Sequence, residues 1–358
     1  MTLEMRPRLT AGPGSVVVRI LAVSVRANAP RVWQDPASGH PLPTPCVPGF
    51  ASLGRVAEVG PDATVLESGQ LVFFDPHIVG RDSTDAVYIS GFMEGFNAES
   101  RRLSRCEWRD STLAEFARLP LENCHPLNEQ RLLGDIKDGG LGYSLDDLTH
   151  LFSMLIPFGG LADIDVKAGD TAVIAPATGR YGSAAVHVAL AMGARVIAIG
   201  RNATVLKQLN DIDPGRLSTV QMTGDVIRDT EVLRATAGGQ GVSAFWDMSP
   251  PGAATSTHFT SVLNVLNRGA RISLMGSVSP GVSFDYMQIM VRALAIKGTW
   301  MSTKEQTRRL LGMVETGVLP LGARAKMGAI KKFNLQDWGE ALATAAAEIE
   351  PGEVVVMP

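Results

Sequence analysis

Residues 174–202 read IAPATGRYGSAAVHVALAMGARVIAIGRN. An apolar run closes on a turn of small residues, a helix-like segment follows, and a second apolar run stops at Gly200-Arg201-Asn202. The turn Ala177-Thr178-Gly179-Arg180-Tyr181-Gly182 follows the G-x-G-x-x-G logic with Ala in the first place. Small residues let the backbone pass close to a pyrophosphate, and a helix N-terminus supplies N–H groups and a partial positive charge. The strand, turn, helix and second strand all stand in the order that a dinucleotide site requires. Tyr181 lies inside this turn and is expected to pack there.

The end of the second run bears on which dinucleotide. A carboxylate about 20 residues beyond the turn binds the 2′-hydroxyl of NAD, whereas an Arg there suits the 2′-phosphate of NADP. Here the positions are Gly200, Arg201 and Asn202, and no acid appears until Asp211. Arg201 can form a bidentate pair with a phosphate, and Lys207, about one and a half helical turns on, adds a second positive charge. NADP(H) is the expected cofactor.

The same alternation continues outward. The apolar runs TAVIAPA, ARVIAIG, LSTVQM, VSAFWDM, ARISLMG and ALAIKGTW alternate with helix-like segments such as ATVLKQLN and VIRDTEVLRATA. Continuous apolar strands between helices predict a parallel sheet covered on both faces, here a doubly wound α/β fold. Upstream, SVVVRILAV, ASLGRVAEVG and QLVFF are short runs broken by Gly and Pro, which predicts a β-rich half. From Ser144, SLDDLTHLFSML opens a helix with a capping-box pattern. The tail offers a helix at LQDWGEALATAAAEI and a last strand, EVVVMP, expected to return to the first half.

At 358 residues two domains are expected. The net charge of −3 gives no basic field for nucleic acid or a membrane surface. No apolar stretch reaches the roughly 20 residues of a membrane span, and MTLEMRPRLTAGPG has no signal-peptide h-region. Cys46, Cys106 and Cys124 lack C-x-x-C spacing, which argues against a disulfide framework or a zinc knot. The expectation is a soluble, cytoplasmic protein acting on a small molecule.

The segments GPGSVVVRILAVSV, VPGFASLGRVAEVG, ESGQLVFF, STLAEFARLPLENCHPL, VKAGDTAVIAPATG and FWDMSPPGA…GARISLMGS occur in this order. In order and spacing the chain resembles the medium-chain dehydrogenase/reductase superfamily over nearly its whole length. The resemblance implies a GroES-like β-rich catalytic domain at 1–140, completed by 319–358, and a Rossmann NADP(H)-binding domain at 141–318, with substrate in the cleft between them. It adds Gly276 and Ser277 to the cofactor contacts. It implies two further strands ahead of GPGSVVVR, where this chain has only its first residues. It also implies a homodimer through the sheet edge at ALAIKGTW, since long apolar edges tend to be paired or covered.

Zinc-dependent members carry Gly-His-Glu where this chain has Gly49-Phe50-Ala51, and a Cys where it has Arg26. The Cys expected shortly before the Rossmann domain is absent from residues 150–158, and so is the four-Cys lobe. Independently, the His residues at 40, 77, 125, 150, 187 and 258 show no metal-ligand clustering. His187 reads as a mid-helix residue and His125 as part of a strand-to-turn passage. Both lines predict a zinc-free member similar to quinone-oxidoreductase and enoyl-reductase-like enzymes. The wording EWRDSTLAEFARLPLENC is similar to reductases found beside fungal biosynthetic pathways, which implies secondary metabolism.

Without a Lewis acid, charge left by hydride transfer needs a protein donor, a substrate that delocalises it, or a substrate already cationic. Candidate polar groups are His77 and Tyr88 in the loop 75–88, Tyr143, and His150 on the helix beyond it. Asn28, near a proton-relay position of the zinc enzymes, and Asp85 are expected at the substrate. Trp33, Phe50 and Trp300 are expected as apolar walls. Three functions follow: an NADPH-dependent reductase of an activated C=C, C=N or quinone; a zinc-free ketone reductase or alcohol dehydrogenase; and a non-catalytic NADPH-binding protein.

Overall fold

The structure, a computed structural model, describes residues 1–348 and 350–358. The strands are β1 (Ser15–Ser24), β2 (Ser52–Val59), β3 (Leu71–Phe74), β4 (His77–Val79), β5 (Val87–Ile89), β6 (Phe116–Pro120) and β7 (Cys124–Pro126), then β8 (Thr171–Ala175), β9 (Arg195–Gly200), β10 (Leu217–Gln221), β11 (Val242–Asp247), β12 (Leu266–Leu274) and β13 (Ala295–Gly298), and finally β14 (Ala329–Asn334) and β15 (Gly352–Met357). Residues cluster into two compact units. One holds Met1–Phe152, Gly328–Glu348 and Gly352–Pro358; the other runs through Ser153–Met327.

The first unit is built on a seven-stranded sheet of order β14-β15-β1-β2-β3-β7, with β6 also paired to β1. All pairs are antiparallel except β14–β15. The Val-rich runs read as strands from sequence are β1, β2 and β3, and the tail EVVVMP returns as β15 beside β1, with Val23 opposite Val356. β-branched residues suit this pleated, largely buried surface. The residues ahead of Ser15 contain no strand, so the two further strands implied by the resemblance do not appear among them. The segment expected as a loop, 75–88, instead holds the hairpin β4–β5 up to Tyr88, with His77 opposite Ile89. A helix at Ala98–Cys106 also had no apolar period to announce it; Asn97 caps it by accepting from Ser100 N at 2.8 Å. The predicted capping box is present, since Ser144 Oγ accepts from Asp147 N at 3.1 Å and Asp147 Oδ2 accepts from Ser144 N at 2.9 Å.

The second unit is a six-stranded, fully parallel sheet of order β10-β9-β8-β11-β12-β13. Every apolar run named from the sequence is one of its strands. The chain reverses direction across the sheet between β8 and β11, which is where open α/β sheets bind ligands, at the carboxyl ends of the strands. β8 is buried along its whole length. Val173, Ile197, Phe245, Phe259 and Ile272 form one core with their neighbours, and each such side chain contributes roughly 1.5–3 kcal/mol on burial. Among the described residues no helix is long and apolar enough to cross a membrane.

Candidate functional site

The turn after β8 is built from close approaches. Ala177 is fully buried and its N–H donates to Ile199 O on β9 at 2.7 Å. Gly182, in the first turn of the helix Arg180–Ala191, has no room for a side chain: a Cβ there would lie 1.9 Å from Pro176 O. Gly200 faces the same turn, since a Cβ would lie 2.5 Å from Thr178 Cγ2. Gly179 differs. It caps the helix without a side-chain hydrogen bond, and a Cβ on it would meet nothing within 4 Å. Gly182 and Gly200 are therefore glycines of packing, while Gly179 leaves space in front of a helix N-terminus, where anions bind. Thr178, Arg180 and Tyr181 are half-buried around it.

At the end of β9, Arg201 is exposed, and its carbonyl accepts from Gln221 Nε2 at 3.2 Å. Lys207 is exposed on the helix Ala203–Asn210. Among the described residues neither cation has an ion-pair partner, and the next acid in sequence, Asp211, caps the far end of that helix. Asn202 uses its side chain as a helix cap, accepting from Val205 N at 3.2 Å. Beyond β12, Gly276 lies against Ser249, and Ser277 N donates to Ser249 O at 3.0 Å. Sequence reasoning missed the buried group beneath this contact: Asp247, Ser249 and His258 hydrogen-bond to one another.

In the first unit, β1 and β2 run antiparallel with Val23 opposite Ser52, and Ser24 N donates to Ala51 O at 3.0 Å. That pairing brings Arg26 and Phe50 together beyond the strand ends. The Arg26 guanidinium lies 4.3 Å from the Phe50 ring centre, and both residues are buried. Phe92 packs edge-on to Phe50, Trp33 and His40, at 5.5, 6.4 and 6.0 Å between ring centres. Trp33 donates from Nε1 to Gly91 O at 2.9 Å. The two expected walls Trp33 and Phe50 thus meet through Phe92, which the sequence reading did not single out. Asn28 is exposed at the start of the helix Ala29–Gln34 and makes no capping bond.

The other candidates stand as follows. His77 opens β4, where its N–H donates to Asp75 Oδ1 and its carbonyl accepts from Asn123 Nδ2, both at 2.9 Å. Asp85 sits exposed in the β4–β5 turn. Tyr88 is buried and its hydroxyl donates to Trp108 O at 3.2 Å; burial pushes its pKa well up. Tyr143 is buried, and its N–H donates to Leu132 O at 2.9 Å. His150 is buried at the end of the helix Leu145–Thr149, and burial, opposed by Asp147, pushes its pKa down to about 4. Trp300 lies in the other unit, 38% exposed.

The donor set does not fit a catalytic zinc at the expected positions. A guanidinium carries no lone pair to give, and Phe50 and Ala51 carry no donor atom. Cys46, four residues before Phe50, is half-buried, and burial, with Asp110 adding to it, pushes its thiol up to about 11. Among the described residues no cluster of three or more His, Cys, Asp or Glu is placed to hold a metal.

Two family models match. "Alcohol dehydrogenase GroES-like domain" covers residues 12–129, and "Zinc-binding dehydrogenase" covers residues 182–316. The chain is 27% identical over 319 residues to an L-threonine 3-dehydrogenase of Ruegeria pomeroyi, covering 86% of this chain and 83% of the relative. It has the fold of an alcohol dehydrogenase from Thermus sp. ATN1, at a TM-score of 0.77 and 17% identity over 99% of this chain and 95% of the other. An NAD-dependent alcohol dehydrogenase matches at a TM-score of 0.74 and 21% identity, over 99% and 95% of the two chains.

Proposed function

Because the chain belongs to the medium-chain dehydrogenase/reductase superfamily of oxidoreductases, we propose that it is an NADP(H)-dependent, zinc-independent reductase of an activated C=C, C=N or quinone substrate. The observation that carries this reading is the Arg26–Phe50 pair at 4.3 Å, at positions where the resemblance implies zinc ligands, in a chain whose Gly179 leaves open space before a helix N-terminus.

In this reading Thr178–Gly182 hold the pyrophosphate, with the open face of Gly179 toward it. Arg201 and Lys207 hold the 2′-phosphate, supported by their lack of acidic partners among the described residues. Gly276 and Ser277 line the cofactor beyond β12. Bound, the nicotinamide supplies a hydride. The chain's part is then to bind the acceptor and manage its charge without a Lewis acid. Enones, enoyl thioesters, quinones and iminium ions spread or cancel that charge themselves, so one well-placed donor suffices. Of the candidate donors, Tyr88 is committed to Trp108 and His150 is held neutral at physiological pH. His77 and Tyr143 are the other two candidates, and substituting each tests its role. The cluster of Trp33, Phe50 and Phe92 suits an apolar, conjugated substrate. A role in secondary metabolism, a cytoplasmic location and a homodimer belong to the same reading.

A second reading is a zinc-free ketone reductase or alcohol dehydrogenase; the relative's name, a dehydrogenase of an alcohol group, favours its reaction class. The cofactor assignment is tested by titrating NADPH and NADH against wild type and Arg201→Ala. Loss of a charge-assisted hydrogen bond costs about 1.5–3 kcal/mol of NADPH affinity, and Arg201→Asp should shift preference toward NADH. Equal preference in wild type and Arg201→Ala would refute it.

A further inference from the structure

We propose that His258 is a positioning residue for the nicotinamide half of the dinucleotide, acting through Asp247, Ser249 and Ser256. The inference rests on the dinucleotide reading of the second unit.

Asp247 is the last residue of β11, and β11 is the strand at which the sheet order reverses. The next residue, Met248, donates from N to Ala175 O at the end of β8 at 2.9 Å. The Asp247 carboxylate therefore sits at the switch point, almost fully buried. Among the described residues its hydrogen bonds run to one short stretch of chain. Oδ1 accepts from Ser249 N at 3.0 Å, and Oδ2 accepts from Ser249 Oγ at 2.8 Å and lies 2.9 Å from His258 Nε2. The other His258 nitrogen, Nδ1, lies 2.7 Å from Ser256 Oγ. A carboxylate only accepts, so Nε2 donates to Asp247, and Nδ1 and the Ser256 hydroxyl pair at the ring's other side. Ser249 Oγ also lies 3.2 Å from His258 Nε2. The imidazole thus ties both ends of the segment 249–256 to the strand end.

That segment is in turn laced to the end of β12. Asp247 O accepts from Met275 N at 2.8 Å, Ser249 O from Ser277 N at 3.0 Å, and Pro251 O from Ser279 N at 3.2 Å. Gly276 fits only because it lacks a side chain; a Cβ would lie 2.5 Å from Ser249 O. β11, β12 and β13 form the second mononucleotide-binding half of such a sheet, and ligands lie across its carboxyl ends. A polar network buried at Asp247, Ser249 and His258 fixes one arrangement more than it adds stability. The arrangement fixed here is that of the surface on which the nicotinamide nucleotide would rest. Ser256 is exposed at its outer end.

The experiment compares ligands that do and do not reach this half. NADPH and NADH, and their truncated forms 2′-phospho-ADP-ribose and ADP-ribose, are titrated against wild type, His258→Leu, His258→Gln and Ser256→Ala. His258→Leu should weaken the preferred intact dinucleotide about tenfold or more, as expected for losing one charge-assisted hydrogen bond, and leave its truncated form within about twofold. His258→Gln, which retains a donor toward Asp247, should recover most of the loss. Should His258→Leu fail to fold, Ser256→Ala carries the test on an exposed side chain, with a smaller loss again confined to the intact dinucleotide. Equal weakening of intact and truncated ligands, or none, overturns the inference. A wild type that binds neither dinucleotide overturns the reading on which it rests, and the inference with it.

Discussion

The Arg26 guanidinium stands 4.3 Å from the centre of the Phe50 ring, inside the first unit. The contact puts a fixed cation and a hydrocarbon face at two positions where the resemblance to zinc-dependent members implies ligands. Cation–π contacts of this kind are worth about 0.5–2 kcal/mol, more when desolvated. Protein purified without a metal-affinity tag should therefore contain well below one zinc per chain by elemental analysis. Chelator should leave its melting temperature unchanged. A stoichiometric metal whose removal lowers stability would refute this.

The glycines of the turn should separate by role. Gly182→Ala forces a methyl to within 1.9 Å of Pro176 O, and overpacking against backbone costs about 1–3 kcal/mol or more. Gly179→Ala meets open space and should cost under about 1 kcal/mol of stability as a helix-cap change. Its methyl should instead weaken NADPH binding. Urea unfolding and cofactor titration of both variants distinguish the two, and a Gly179→Ala protein with wild-type affinity would remove the pyrophosphate from this turn.

His150 sets a pH dependence of stability. Burial depresses its pKa from 6.5 to about 4, so the folded state favours the neutral ring. Between these values the unfolded chain binds the proton and the folded chain does not. The stabilisation is complete above pH 6.5 and is lost as pH falls toward 4. Between pH 7 and pH 5 the loss is about 2 kcal/mol by linkage. Urea unfolding at the two pH values should show that difference in wild type, and His150→Leu should reduce it. An identical pH dependence in both proteins would exclude His150 as its source.

How much of this was legible in sequence follows from range. The six strands of the second unit are short, apolar and β-branched, and each announces itself locally. The strand, turn and helix from β8 onward were readable because their spacing is local as well. The contact between Arg26 and Phe50 was not, because only the β1–β2 pairing joins residues 24 positions apart. The bond between Asp247 and His258 depends on the chain folding back after β11, and a single His with no neighbouring ligand gave no signal. The helix Ala98–Cys106 lacks an apolar period, and β4 and β5 are three residues each.

The edge of the parallel sheet predicts a homodimer. β13 is exposed along its whole length, and the helix Tyr286–Arg292 before it exposes Tyr286, Met287, Met290 and Val291. A contiguous apolar edge of this kind is usually covered in a stable protein. Light scattering at micromolar concentration should give twice the monomer mass, and charged substitutions at Met290 and Ile296 should halve it. A clean wild-type monomer would end this expectation.

The central claim is zinc-free reduction of an activated acceptor by NADPH, and it is tested most directly by kcat/KM on matched substrates. An enone, its saturated ketone and a cyclic imine of similar size are compared with NADPH, before and after exhaustive chelation. The account predicts that the enone or the imine exceeds the ketone, with values unchanged by chelator. Highest kcat/KM on the saturated ketone, abolished by chelator or by His77→Ala or Tyr143→Phe, would contradict it.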